Sequence, residues 1–64
     1  MATSLGNFIL AVITMDRNRV GGGAPVFYAN SQKELQEIAA TLERTIDGMA
    51  HEVTADTLII IKHS

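Results

Sequence analysis

Two stretches of the chain are apolar whichever way their alternation is read. From Phe8 to Met15, period two puts Phe8, Leu10, Val12 and Thr14 on one side and Ile9, Ala11, Ile13 and Met15 on the other. From Thr57 to Lys62 the same reading gives Leu58 and Ile60 against Thr57, Ile59 and Ile61. Strands of this kind belong inside a sheet that is covered on both faces. Between them, Pro25 to Ala29 predicts a short strand at a sheet edge, because proline cannot donate to a ladder. The connection from Asp16 to Ala24 carries Asp16, Asn18 and Gly21, Gly22 and Gly23, all turn formers.

One helix is clearly marked. Ser31 and Glu34 have the spacing of a capping box, in which the serine oxygen accepts the Glu34 amide and the carboxylate reaches back. Leu35, Ile38, Leu42, Ile46 and Met49 then recur every three or four residues, with Lys33, Glu37, Arg44 and Asp47 off the stripe. Gly48 is expected to end the helix as a left-handed cap. His51 to Val53 is a candidate short strand, followed by a turn at 54–56.

These elements predict a single α+β domain over residues 1–64, of order ββαβ, or ββαββ if His51–Val53 pairs. The economical sheet is three-stranded and mostly antiparallel, in the order 2-1-3, with the first two strands forming a hairpin and one right-handed crossover. One helix covers one face only. The second face therefore calls for a partner, and a closed two-fold homodimer is the commonest way to supply one. Ile9, Ile13, Ile59 and Ile61 are the expected interface, by sheet stacking or by pairing along an edge strand 57–62.

Length strengthens that expectation. At 64 residues, apolar burial and the entropy of ordering the chain nearly cancel, so small domains need an added constraint. The sequence has no cysteine, which excludes disulfides and thiolate zinc sites. A partner chain is the remaining remedy. Five basic against seven acidic residues give a net charge of −2, and the cations are scattered rather than gathered on a face. Nucleic acid is not an expected partner on that footing. Nor is a membrane, because eight apolar residues are far short of the roughly 20 a spanning helix needs. Residues 1–7 hold no Lys or Arg, and Asp16-Arg17-Asn18-Arg19 stands where a signal peptide would carry its cleavage site. A bacterial-type cytoplasmic location follows as an expectation.

Candidate chemistry is sparse. Arg17, Arg19, Gly21, Gly22 and Gly23 offer glycine amides and cations to an anion, with Tyr28 near the open end of the expected hairpin. The helix that normally follows such a loop is replaced by Pro25 and a strand. His51 and His63 are the only imidazoles for a metal, and their spacing matches no zinc motif. Asp16, Asn18 and Gly21 imitate the start of a calcium loop, but Val20 and Phe27 occupy positions that need oxygen ligands. Ser4, Ser31 and Ser64 lie in no nucleophile turn. No cofactor is implied.

Ala11 to Gly21 resembles the opening strand and turn of dihydrofolate reductases, over about a sixth of the chain. The likeness stops at the turn, and no activity follows from it. The expected function is that of a small, non-enzymatic accessory or interaction protein, dimeric and able to dock on a larger protein. The alternative is a small-ligand binder or minimal enzyme with a site at the dimer boundary, built on the Arg17–Gly23 loop.

Overall fold

A computed structural model describes residues 8–19 and 22–62. It contains β1 (Ile9–Thr14), β2 (Val26–Tyr28), α1 (Gln32–Thr45), β3 (Gly48–Thr54) and β4 (Thr57–Lys62). The four strands form one sheet in the order β2-β1-β4-β3, with α1 on one face. The fold is α+β with a single helix, and β2 lies at an edge, as the proline indicated.

The sheet itself differs from the expected one in three respects. It has four strands rather than three, because β3 runs for seven residues from Gly48 and takes in Met49, which the helical spacing had claimed. β1 and β2 pair in parallel, with Val12 beside Val26 and Thr14 beside Tyr28, so they are not a hairpin. The chain has only to return from Thr14 to the level of Val12, a rise of roughly 7 Å. The eleven residues from Met15 to Pro25 are long enough to span that, and none of the described ones is helical. Finally, β4 is interior, antiparallel to β1 on one side and β3 on the other. It has no free edge, so pairing of two copies along 57–62 does not occur in this sheet.

A bulge in β1 decides which side chains face the helix. Ile9 pairs with Ile61 but Ala11 pairs with Ile60, so the alternation slips at Leu10. Ala11 and Ile13 consequently point to the same side as Leu58 and Ile60, and all four are buried with Leu35 and Ala39 of the helix and Ala29. Leu10 joins them at the periphery. Ile13 is fully buried in this core and is not on the free face where the dimer expectation had put it. An unbroken period of two had grouped it with Ile9; the bulge separates them.

The helix begins as the capping box requires, with the Glu34 amide donating to Ser31 Oγ at 3.1 Å. The Glu34 carboxylate reaches one residue further back than expected and accepts from the Asn30 amide at 2.6 Å. At the other end the left-handed residue is Asp47, with φ of 53°, not Gly48. Gly48 serves a different purpose. A Cβ there would collide with Ile60 Cγ2 and sit 2.9 Å from the Ile61 carbonyl oxygen. The glycine lets β3 start tight against β4.

Candidate functional site

The largest unexplained feature is the sheet face away from α1. By register, Ile9, Val12, Ile59 and Ile61 share it with Met49 and His51, while Val53 falls at the break in register between Glu52 and Thr54. Met49 and Val53 are about half exposed, and the four central side chains are half-buried. Phe8, at the start of β1, is also exposed. Three of the four expected interface residues, Ile9, Ile59 and Ile61, thus lie together on this face, while Ile13 does not.

The loop after β1 is built from internal contacts. Asp16 Oδ1 accepts from the Asn18 amide at 2.9 Å, and the Arg19 amide donates to the Asp16 carbonyl, closing a turn. The Arg17 guanidinium donates to Asn30 Oδ1 at 2.8 Å and stacks 5.1 Å from the centroid of the Tyr28 ring. Tyr28 donates its hydroxyl proton to the Arg19 carbonyl at 3.0 Å. Arg19 Nε faces Asp16 Oδ2 at 3.9 Å. The structure therefore brings Arg17, Arg19 and Tyr28 together, as sequence suggested, but each is engaged in holding the loop against β2. Gly22 and Gly23 are exposed beyond it, and Gly21 lies outside the described residues. His51 is exposed on β3 and His63 lies outside the described residues. Among the described residues no group of three or more His, Asp or Glu is placed to hold a metal ion.

A polar relay that sequence reading missed joins the ends of β1 and β4. Thr14 and Thr57 are both buried and their hydroxyl oxygens lie 2.8 Å apart. Thr57 donates to Asp56 Oδ1 at 2.9 Å, and the Asp16 amide donates to Thr14 Oγ1 at 3.0 Å. Each hydroxyl has one proton: with that of Thr57 on Asp56, the Thr14 hydroxyl faces two acceptors, Thr57 Oγ1 at 2.8 Å and the Asp56 carbonyl at 3.3 Å, so its proton is directed toward residues 56–57 by either route. Thr54 adds a second hydroxyl to the same carboxylate oxygen at 2.6 Å. As the terminal acceptor, Asp56 has its pKa lowered, first by the Thr54 hydroxyl and then by that of Thr57, with a smaller contribution from Arg19. Only the pairing of Thr14 with Thr57 across the sheet reveals the relay, and register is not visible in composition.

On the helix side, α1 lies over β4, β3 and β1 and stops short of β2. The gap is a shallow groove of about 310 Å³ lined by Phe27, Ile38, Leu42 and Thr41, with Glu34 and Glu37 on its rim. At the opposite edge, the Glu43 carboxylate accepts from the Ala50 amide at 2.7 Å. That amide points away from β4, and the helix has capped it.

Among the described residues no helix is long and apolar enough to cross a membrane. No solved structure matches the chain. In Bacillus subtilis (strain 168), the protein named "Uncharacterized protein YpzH" is 52% identical over 63 residues, covering 98% of both chains. Residues 6–63 match the family described as "Capping complex subunit for YIEGIA". This is a different family from the reductases that Ala11–Gly21 resembles. With nearly its whole length matched, the chain belongs to the family of capping complex subunits for YIEGIA.

Proposed function

We propose that this chain is a non-catalytic accessory subunit that caps a larger protein of the YIEGIA type, using the free face of its sheet. The observation that carries the reading is the row Ile9, Val12, Ile59 and Ile61, flanked by Met49, over which no described helix or strand of the same chain is laid. A face of that composition is a protein-binding surface by its chemistry, since monomeric proteins seldom leave contiguous apolar patches of this kind to water. The family's description supplies the kind of occupant. The proposal places the subunit in the cytoplasm, in keeping with the polar flanks of its first apolar run.

A second copy of the chain is the other occupant the same face suits, because two-fold stacking would bury the row against itself. Molar mass by light scattering across a hundredfold dilution separates the two. A mass that stays at twice 6.9 kDa assigns the face to a homodimer. A monomer that binds purified YIEGIA protein by titration calorimetry, and loses that binding in Ile59→Lys with its circular dichroism intact, supports the capping role. Binding unaffected by Ile59→Lys and Ile61→Lys overturns it.

A further inference from the structure

Among the described residues, the edge of β2 has its own unmet requirement, separate from the sheet face. The Val12 amide donates to the Pro25 carbonyl, and the Ala29 amide donates to the Thr14 carbonyl. In a parallel ladder those two bonds assign Phe27, between them, to β1. Val26 and Tyr28 therefore turn their amide and carbonyl groups outward, and none of the four is bonded to another described residue. Backbone edges of this sort pair readily with an incoming strand. The far edge, β3, is guarded by Glu43 on the Ala50 amide; β2 has no such guard among the described residues.

Beside this open edge lies the groove between Phe27 and the helix. Phe27 shares the helix side with Ile13 and is 38% exposed, so it forms a wall with one flank bare. Ile38 and Leu42 form the opposite wall, and the rim carries the carboxylates of Glu34 and Glu37. A strand laid on β2 would place alternate side chains over this groove. One apolar side chain fills it, beside the acidic rim formed by Glu34 and Glu37, which are one helical turn apart.

We infer that the β2 edge and its adjoining groove are a receptor for an extended segment, added as a fifth strand, that carries an apolar side chain with a Lys or Arg two residues from it. Main-chain bonds to Val26 and Tyr28 supply the pairing, the groove takes the apolar anchor, and Glu34 and Glu37 select for cations. The site lies on the opposite side of the sheet from the proposed capping face, so either reading can fail without the other.

The test uses the full chain and a capped peptide, Thr-Lys-Thr-Leu-Thr-Lys-Thr, followed by amide chemical shifts and hydrogen exchange. The expected result is saturable binding with slowed exchange at the Val26 and Tyr28 amides and shifts at Phe27, Ile38 and Leu42. Replacing both lysines of the peptide by glutamate should weaken binding at least about threefold, as should Glu37→Lys in the protein, whose side chain is exposed. A peptide N-methylated at alternate amides should not bind. Shifts confined to Val12, Ile59 and Ile61, equal binding of the acidic peptide, or no saturation at millimolar peptide would each overturn the inference.

Discussion

Replacing Thr14 by valine tests whether the relay between β1 and β4 is structural or incidental. The substitution keeps the shape of a side chain that is fully buried, and removes only its hydroxyl. Three partners are affected: the Asp16 amide, 3.0 Å from the lost oxygen, loses its acceptor, and Thr57 Oγ1 at 2.8 Å and the Asp56 carbonyl at 3.3 Å lose the Thr14 hydroxyl. A net hydrogen bond contributes about 1 kcal/mol, and an unsatisfied buried group costs about 1–3 kcal/mol. Because Asp16 sits nearer the surface and water can reach part of the site, the expected loss is about 2 kcal/mol. For a chain of this size that lowers the melting temperature by about 15 °C. Thr57→Val removes the link to Asp56 and should cost a similar amount. The double variant should then be less than additive by about 1 kcal/mol, since the two hydroxyls belong to one chain of bonds. Urea denaturation of the four proteins, followed by far-UV circular dichroism, measures this cycle. A single-variant loss below about 0.5 kcal/mol, or strict additivity, would refute the relay.

Three further predictions concern separate parts of the fold. Gly48→Ala should destabilise by about 1–3 kcal/mol through overpacking against Ile60, whereas Asp47→Gly relieves the left-handed residue and should gain up to about 1 kcal/mol; both are read by denaturant midpoint. Asp56 has a depressed folded pKa, so its contribution is present above the unfolded carboxylate range and disappears as pH falls through the folded value. Stability should therefore hold from neutrality to about pH 4 and drop below it, with a shallower acid slope in Asp56→Asn; an unchanged slope would contradict the assignment. Glu43→Ala frees the Ala50 amide on the β3 edge, and light scattering at rising concentration should detect association that the parent chain lacks.

The sequence made some of this visible and hid the rest for identifiable reasons. Capping at Ser31, the core stripe of Leu35, Ile38 and Leu42, and the edge position of β2 all follow from local rules that the structure obeys. The direction of β2 did not, because a connection of eleven residues is long enough to return either way. Both faces of β1 are apolar, so hydrophobicity could not reveal the slip at Leu10 that buries Ile13 and frees Ile9. Gly48 was misleading in a different way. A glycine after a helix usually supplies positive φ, but here Asp47 does that and the glycine admits a close neighbour. Of the candidate site, the cluster of Arg17, Arg19 and Tyr28 was legible as a group, while its inward-directed bonding required the geometry.

The central place of β4 bears on the order in which the chain can acquire its shape. It lies between β1 and β3, which are hydrogen-bonded into one sheet only through it, and it is synthesised after both. A nascent chain that has passed Thr54 but not yet Lys62 holds a parallel pair on one side and a lone strand on the other, with the helix tethering them. Neither half has a sheet to complete. Folding is therefore delayed until the segment 57–62 is free of the ribosome, and during that interval Ile9, Val12 and Ile13 are exposed together. A partner present at the site of synthesis would meet those residues before the core closes over one of them.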